Sequence, residues 1–317
     1  MSKGSNYYGG YFWVAAISFI VPLFVGWKAF DNLKPTTKPV PNVDASGVDH
    51  AVWDYLLKAN VTNGLVDYVA MKKDYLFREY IRELGACDPD KLETEDEKLA
   101  LACNAYNAFV INGVITHKIY DTVDGRGFFD FKEHIFAGKT VSLNDIEHNM
   151  IRPTFKEPRI HVGLVCAARS CPAIRAEAFV GSRVREQLQD QSEQFTDNRK
   201  YVMYDAENKE LKLSPILNWY GDDWNERYPN GVRFVTKYKD RDGEVKENVH
   251  TGSSLVWISE LTTDQSVKDG IAKVAAGEAK VAFFKYDWAL NSQADPSKPP
   301  ESKKKSGGFG SSSIPDE

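Results

Sequence analysis

Cysteine is scarce in this chain, with four among 317 residues, and this excludes a small fold held together by a framework of disulfide bonds. Positive charge is not in excess either. Because 40 Lys and Arg stand against 45 Asp and Glu, a nucleic-acid-binding face is not expected. The sequence shows no glycine-rich phosphate loop, dinucleotide fingerprint or internal repeat. What remains is an ordinary globular composition, with 42% hydrophobic residues and enough length for a sizeable core.

Charge is absent from one long stretch near the N-terminus, between Gly4 and Trp27. Its most apolar part, residues 11–27, is near the lower limit of roughly 17–25 residues for a helix that spans a bilayer, and aromatic residues lie near both ends. We therefore expect residues 1–30 to form a single-pass transmembrane anchor, with the globular domain outside the cytoplasm (on the periplasmic side in a bacterium). A cleaved signal peptide is the alternative, although no good small-residue cleavage site follows the apolar run.

The remainder of the chain divides by composition. Residues 31–43 are Pro-rich and are expected to form an extended linker. Residues 292–317 form a low-complexity tail that is expected to be disordered, because it has no means of burying apolar surface. Residues 44–291 are left as a single folded domain.

Within that domain, the hydrophobic spacing changes between helical and extended patterns. Helices are predicted over residues 48–60, 74–84, 98–117 and 267–277, and strands or extended pieces over 65–71 and 159–166, near 211, and from 279. The Asp242-Gly243 pair is typical of a hairpin turn. The mixture predicts an α+β fold, with a thiol-hydrolase-like architecture as the finer expectation.

The helix predicted at 98–117 carries two amides, Asn104 and Asn107, on an otherwise apolar face. A buried amide that lacks partners costs about 1–3 kcal/mol, so each is expected to be hydrogen-bonded. Two interpretations stay open. The amides bond the backbone of a neighbouring loop and fix its shape, or they line and orient a site.

Residues 140–179 gather two of the six histidines and two of the four cysteines, namely His148, His161, Cys166 and Cys171. Imidazole and thiol groups are the side chains most used for nucleophilic catalysis and for zinc ligation. The crowding therefore predicts a functional site, but it does not choose the chemistry.

Local patterns assign different structures to the four residues. A helix capped by Ser142 and Asp145 is predicted to carry His148 and to end at Arg152-Pro153. Residues 159–166 have the composition of a buried strand, and strand alternation would place His161 and Cys166 on opposite faces.

Cys171-Pro172 is expected to begin a short helix, since proline suits a first helical turn. A thiol at a helix N-terminus is stabilised as the thiolate, and Arg169 and Arg175 would act in the same direction. The predicted catalytic pair is therefore Cys171 with His148, and His161 is the competing base.

Five segments, taken in order, resemble the DUF547 family. They are NAYN at 104–107, SLNDIEHNMIRP at 142–153, PRIHVGLVCAARSCPAIRAEAF at 158–179, LSPILNWYGDDW at 213–224 and FFKYDWALN at 283–291. The resemblance extends over about 48–291 and implies a domain of unestablished activity, whose bacterial members resemble secreted or membrane-anchored proteins. It implies that eight positions matter, without giving a reaction: Asn104, Asn107, Glu147, His148, Arg159, His161, Cys166 and Cys171.

Three chemistries follow from these residues. The first is a cysteine-dependent hydrolase or acyltransferase acting on an amide or thioester-like bond of an unknown small molecule or peptide. Cys171 would be the nucleophile, His148 or His161 the base, and Glu147 or an asparagine the residue that orients the imidazole. Backbone N–H groups of residues 170–173 would form the oxyanion hole. In this scheme four further residues bind or orient the substrate: Asn104, Asn107, Arg159 and Cys166.

The other two chemistries use the same block differently. His148, His161, Cys166 and Cys171 are together competent zinc ligands, so a zinc-binding enzyme is one alternative, although strand alternation argues against all four meeting. A non-catalytic, membrane-tethered binding or structural module, with Cys166 and Cys171 joined by a disulfide bond, is the other. The favoured scheme uses neither a bound cofactor nor a metal. Its candidate histidines precede Cys171 in the sequence, which reverses the order of cysteine and histidine in papain.

Overall fold

The helix Glu95–Thr116 runs through the middle of the fold, and fifteen of its residues are buried. It begins at a capping box, in which the Thr94 hydroxyl accepts from the backbone of Glu97 while the Glu97 carboxylate accepts from the backbone of Thr94. In the part of the chain that is described below, it is the one helix long and apolar enough to cross a membrane, and most of its apolar surface is buried inside the protein. It therefore packs as a core helix.

The structure is a computed structural model that describes residues 37–125, 127–239 and 245–294. All of the described residues belong to one compact unit, Leu33–Glu317. The transmembrane anchor predicted at 1–30 lies outside the described residues, as do linker residues 31–36, the hairpin residues Asp242 and Gly243, and the tail beyond 294.

Helices and strands are mixed along the described chain, which confirms the α+β prediction. The α-helices are α1 His50–Asn60, α2 Tyr68–Lys73, α3 Tyr75–Ala86, α4 Glu95–Thr116, α5 Arg152–Phe155, α6 Ile160–Gly163, α7 Val184–Thr196, α8 Ile216–Trp219, α9 Ser253–Leu261 and α10 Gln265–Ala275. The strands are β1 Val61–Thr62, β2 Leu65–Val66, β3 His134–Phe136, β4 Lys139–Val141, β5 Val202–Asp205, β6 Glu210–Leu213, β7 Val232–Lys239, β8 Val245–Gly252 and β9 Lys280–Phe283. Two 3₁₀ turns, Pro89–Lys91 and Gly221–Trp224, and a π-helix, Asp145–Ile151, complete the description.

Two hydrophobic clusters form the core. The larger one surrounds α4 and includes residues from α1, α2, α3 and the segments around 141–179. The smaller one packs α7, α9 and α10 on a three-stranded sheet of order β5-β6-β9, in which β6 pairs antiparallel with β5 and parallel with β9. The single turn of α6 lies between them, because Ile160 and Leu164 pack in the larger cluster and Val162 packs in the smaller one.

The strand predicted at 159–166 is wrong. Residues Ile160–Gly163 form a helical turn, closed by the Leu164 N–H donating to the Ile160 carbonyl at 2.7 Å, and the chain is irregular beyond it. Because this run lies between two clusters, its apolar residues are not confined to one face, and such a pattern does not distinguish a strand from a buried helix. The alternation that separated His161 from Cys166 therefore does not exist.

The helix predicted to begin at Cys171 is also absent, and residues 171–179 are irregular. Proline at a first helical turn is permitted but does not itself drive helix formation. Here the segment is instead fixed by tertiary hydrogen bonds, such as the two that join the Phe179 backbone to the Asn104 amide at 2.8 and 2.9 Å.

The helix after Ser142 is confirmed at its start and wrong at its end. Ser142 and Asp145 make the reciprocal capping bonds, each at 3.0 Å. The helix then widens into the π-helix Asp145–Ile151 and continues through Pro153 to Phe155. The Arg152 N–H donates to the Glu147 carbonyl, five residues back, and this wider turn ends where Pro153 can occupy the first turn of α5.

Candidate active site

A cavity of about 380 Å³ lies against α6, where the two hydrophobic clusters meet. Its polar lining includes Tyr106, Glu147, His161, Cys166, Cys171, Tyr220 and Tyr286. Four of these come from the predicted block at 140–179, and the tyrosines come from α4 and from two segments much later in the chain. Aromatic rings of Trp219, Tyr286 and Trp288 pack on one another along one wall, and Trp219 is 47% exposed at the rim.

His161 is held by three neighbours. Its Nε2 lies 2.7 Å from Oδ2 of Asp223, and its ring stacks on Tyr220 with the centroids 4.1 Å apart. Its Nδ1 lies 3.8 Å from Oε1 of Glu147. The bond to Asp223 fixes the tautomer with hydrogen on Nε2, so Nδ1 is left as the nitrogen able to accept a proton.

Asp223 is itself held by Arg152, whose guanidinium donates to both carboxylate oxygens at 2.8 and 2.7 Å. Burial alone would raise the pKa of Asp223, but the hydrogen bonds from His161 and Arg152 outweigh it and hold that pKa well below its usual range. Asp223 is therefore an ionised orienting group for the imidazole.

Glu147 is buried and reaches the cavity from the π-helix. Its Oε2 accepts from the Tyr106 hydroxyl at 3.0 Å, and it is also hydrogen-bonded to the Tyr220 hydroxyl. Burial raises the pKa of both tyrosines, and the neighbouring Glu147 carboxylate raises them further, so both hydroxyls remain donors. A second carboxylate thus faces Nδ1 of His161 from a fixed position.

Cys166 is half-buried in the cavity wall, and its Sγ lies 3.1 Å from the Tyr286 hydroxyl. Burial acts to raise the pKa of this thiol. Hydrogen bonds from the Cys171 thiol, the Tyr286 hydroxyl and the Ala168 N–H act in the opposite direction, and the pKa of Cys166 lies below its ordinary value. A thiol with three donors directed at it favours the nucleophilic thiolate.

Cys171 has the opposite environment, with 4% of its surface exposed. Burial raises its pKa well above the ordinary value, and the hydrogen bond to Cys166 raises it further. The backbone N–H of Cys166 donates to its Sγ at 2.9 Å. Of the two thiols in the cavity, the structure therefore favours Cys166 as the nucleophile, where the sequence favoured Cys171. All four cysteines are free thiols in the structure.

The backbone at Cys166 is shaped by its neighbours on both sides. Ala167, which follows it, has a φ of +60° in the left-handed region and is buried. Such a conformation costs an alanine about 1–2 kcal/mol, and it persists only where the surroundings impose it.

Asn107 imposes part of that geometry from α4. Its Nδ2 donates to the Gly163 carbonyl at 3.0 Å, and its Oδ1 accepts from the Val165 N–H at 2.9 Å. The amide therefore clamps residues 163–165, which lie between His161 and Cys166. Asn104 makes the equivalent pair of bonds to Phe179, farther along the same block. Both amides bond loop backbone, and neither lines the cavity.

His148 and Arg159, which the sequence also placed in the site, lie elsewhere. His148 accepts from Arg152 at 2.8 Å and lines a neighbouring cavity of about 320 Å³, on the other side of the Arg152–Asp223 pair. Arg159 donates from Nε and Nη2 to the buried Glu157 carboxylate at 2.7 Å each and lines neither cavity. The predicted pair of Cys171 with His148 is thus divided between two cavities.

The oxyanion hole expected at residues 170–173 is wrong, because these N–H groups already have partners. Ser170 donates to the Asp287 carbonyl and Cys171 to the Ala168 carbonyl, each at 3.1 Å, and Ala173 bonds the Tyr201 hydroxyl. Pro172 has no N–H. The four predicted zinc ligands are divided in the same way, and within the described ranges no group of three or more His, Cys, Asp and Glu side chains is arranged to hold a metal ion.

Sequence reasoning missed Asp223, Tyr220 and Tyr286 as members of this site. All three lie in segments that carried the family resemblance, LSPILNWYGDDW and FFKYDWALN. Polar residues set among aromatics in those segments were the available signal, but nothing local to them indicates which histidine or cysteine they approach.

A family model described as "Protein of unknown function, DUF547" matches residues 89–196. Residues 89–196 belong to the DUF547 family. This match confirms the family prediction, over a shorter stretch than the 48–291 of the sequence resemblance. Searches among curated proteins and among solved structures gave no match. The DUF547 segment contains Tyr106, Glu147, His161, Cys166 and Cys171, whereas Tyr220, Asp223 and Tyr286 come from the chain beyond it.

The contrast between the thiols predicts an order of reactivity. At pH 7.5, iodoacetamide is expected to alkylate Cys166 at least about tenfold faster than any other cysteine, because the thiolate is the reactive form. Burial raises the pKa of Cys87 to about 11 and of Cys103 to about 12, and that of Cys171 is raised as well. Peptide mass spectrometry over a time course measures the four rates.

The same measurement has a matched pair of variants. Tyr286→Phe removes a hydrogen-bond donor to Cys166 and is expected to move the pH profile of Cys166 alkylation to higher pH. The control is Tyr75→Phe, at a half-exposed tyrosine distant from Cys166 in the sequence, which should leave that profile unchanged. Equal rates for Cys166 and Cys171, or a faster Cys171, would contradict the assignment.

Asn107→Ala is expected to lower the free energy of unfolding by about 2–5 kcal/mol, because it leaves the buried Gly163 carbonyl and Val165 N–H without partners. Denaturant titration followed by tryptophan fluorescence measures the change. Asn149→Ala, which removes an exposed amide bonded to Asp145, is the control and should cost less than about 0.5 kcal/mol. A similar, small cost for both variants would show that the clamp is not structural.

Proposed function

We propose that this protein is a membrane-anchored, cysteine-dependent hydrolase or acyltransferase, with Cys166 as nucleophile, His161 as general base and Asp223 as the residue that orients the imidazole. The observation that carries the proposal is the ordered chain from Arg152 through Asp223 to Nε2 of His161, which ends in the cavity that Cys166 lines. A nucleophile, a base and a carboxylate that fixes the base form the arrangement of thiol and serine acyl-transfer sites.

In the first half of the reaction, Nδ1 of His161 accepts the proton of the Cys166 thiol, the resulting thiolate attacks the substrate carbonyl carbon, and a C–S bond forms. The carbonyl oxygen becomes an oxyanion beside Sγ, and the Tyr286 hydroxyl, 3.1 Å from that sulfur, is positioned to donate to it. Burial raises the pKa of Tyr286 far above its ordinary value, so the hydroxyl stays protonated and able to donate. The leaving nitrogen or sulfur takes a proton from His161, and its bond to carbon breaks.

In the second half, a water or another nucleophile attacks the resulting thioester while Nδ1 of His161 accepts its proton. The acyl group leaves Cys166, which regains its thiolate. Glu147, 3.8 Å from Nδ1, and Asp223 at Nε2 stabilise the positive charge that the imidazole carries between these transfers. Burial of the histidine between Tyr220 and Trp224 keeps its ring from rotating out of line.

The cavity supports a substrate of modest size. Its volume of about 380 Å³ suits a small molecule or a single side chain, and its aromatic wall of Trp219, Tyr286 and Trp288 offers flat apolar surface next to the nucleophile. We infer that the acyl group of a small amide, a peptide side chain or a thioester lies against this wall.

A test uses activated esters of small acyl groups as probes. Wild-type protein is expected to release p-nitrophenol in a burst and to gain the acyl mass on Cys166, located by peptide mass spectrometry. His161→Gln and Asp223→Asn should slow acylation on the order of 10²–10⁴-fold, because the base is lost or is no longer oriented. His117→Gln, a surface histidine bonded to Glu133, is the matched control and should acylate at the wild-type rate.

The opposite ranking would overturn the assignment. If His148→Gln abolished acylation while His161→Gln retained it, the base would lie in the second cavity. If no variant changed the rate, acylation would be unassisted chemistry of an exposed thiol, and a non-catalytic module would account better for the protein.

The anchoring part of the proposal rests on the uncharged run at 11–27. Full-length protein is expected in the membrane fraction and to resist alkaline carbonate extraction, whereas a variant lacking residues 1–30 should be released. A mature N-terminus beyond residue 30, found by intact-mass measurement, would contradict an anchor and establish a cleaved signal peptide. External protease that leaves residues 44–291 intact in sealed cells, and degrades them only after lysis, would contradict the extracytoplasmic placement.

A further inference from the structure

Cys171 has no part in the proposed acyl transfer beyond its hydrogen bond to Cys166, yet it lies in the same cavity. Its Sγ accepts from the backbone N–H of Cys166 at 2.9 Å, and the two thiols are hydrogen-bonded to each other. A buried thiol can pack as a small hydrophobe, but this one is directed at the sulfur of the proposed nucleophile. The contact raises the question of what the pair does when Cys166 is oxidised.

We infer that Cys166 is a site of reversible oxidation by hydroperoxides, with Cys171 as the resolving thiol that captures it as an intramolecular disulfide. The regulatory consequence rests on the proposed function, because a disulfide at Cys166 would block acyl transfer. The oxidation itself does not depend on that function.

The intervening backbone already has the shape of a closed loop. The Cys171 N–H donates to the Ala168 carbonyl at 3.1 Å, and the left-handed Ala167 turns the chain back on itself. The Arg169 and Ser170 N–H groups donate to the carbonyls of Ala289 and Asp287 at 2.8 and 3.1 Å. With the ends of the loop together and its middle tied to another segment, an S–S bond requires movement of side chains and little of the backbone.

The chemistry balances with a hydroperoxide as the oxidant. The Cys166 thiolate attacks one peroxide oxygen, the S–O bond forms, the O–O bond breaks, and the leaving alkoxide or hydroxide takes up a proton. The sulfur is oxidised by two electrons to a sulfenic acid. Cys171 then gives up its proton and attacks the Cys166 sulfur, the S–O bond breaks, and the oxygen leaves as water. A dithiol reductant restores both thiols.

Oxidation of Cys166 also favours the second step. The negative charge on Cys166 is one of the causes that raise the pKa of Cys171, after burial and their hydrogen bond. When the thiolate becomes a neutral sulfenic acid, that charge is lost, and Cys171 ionises more readily at the moment its thiolate is needed.

The remaining thiols are poor competitors. Cys87 and Cys103 are buried in the helical core, with 5% and 0% of their surface exposed, and neither lines the cavity. Their pKa values, raised by burial to about 11 and about 12, leave little thiolate to react. Oxidation is therefore expected at Cys166 alone.

The test treats the full-length protein with a small molar excess of hydrogen peroxide, blocks free thiols, and maps the peptides without reduction. Trypsin cuts after Arg169, between the two cysteines, so the disulfide joins peptide 160–169 to peptide 170–175. We expect that linked pair to exceed any pairing of Cys87 or Cys103 by at least about tenfold, with an intact mass lower by the two hydrogens lost. Dithiothreitol should reverse it completely.

Cys171→Ser supplies the second arm. Without the resolving thiol, Cys166 is expected to gain one and then two oxygen atoms in mass, and dithiothreitol should not recover the over-oxidised form. Cys87→Ser is the matched control and should form the 166–171 disulfide like wild type. If Cys171→Ser does not fold, the wild-type peptide map decides alone.

Over-oxidation of wild-type Cys166 with no linked peptide would overturn the inference, as would a link that involves Cys87 or Cys103. This readout needs no acyl substrate. A protein that forms the disulfide but is not acylated would refute the proposed function alone, and one that is acylated but forms no disulfide would refute this inference alone.

Discussion

The amide of Asn107 holds the piece of chain on which the site depends. Its two hydrogen bonds to Gly163 and Val165 come from α4, a helix with fifteen buried residues, so they fix the chain against a rigid support. His161 lies two residues before this grip and Cys166 one residue after it. Because the backbone groups there are buried, a missing hydrogen bond would lower the stability of the folded state. The local path of the chain is therefore determined as strongly as the core is.

The second support comes from far along the chain and fixes the histidine rather than the cysteine. Tyr220 covers the face of His161 and Asp223 binds its edge, from a short helical stretch that packs against the smaller hydrophobic cluster. The turn of α6 belongs to both clusters at once. A displacement of one cluster relative to the other would consequently change the position of the imidazole, and the packing of the two clusters is part of the active-site geometry.

The parts of the fold that local chemistry determines could be predicted from the sequence. Helices α1, α3, α4 and α10 follow from their apolar spacing, and the start of the helix after Ser142 follows from its capping pair. The interpretation of residues 159–166 failed because full burial removes the periodicity that separates helix from strand. Cys171 was predicted to be an activated thiol because a helix was expected to begin there, and tertiary hydrogen bonds hold that segment in an irregular conformation instead. Asp223 could not be assigned to His161, because 62 residues and a different core cluster separate them and no local pattern records that contact.

The π-helix at Asp145–Ile151 bears on how this chain can change in length. Glu147 and His148 are neighbours in sequence, yet one lines the larger cavity and the other the smaller one beyond the Arg152–Asp223 pair. A wide turn holds an additional residue over nearly the same rise, so loss of one residue would return the segment to an α-helix, with its two ends in register and the residues between them moved by one position. Glu147 would then leave the imidazole even though no side chain of the site had been substituted. The number of residues between Asp145 and Ile151 is thus as much a part of this site as their identities.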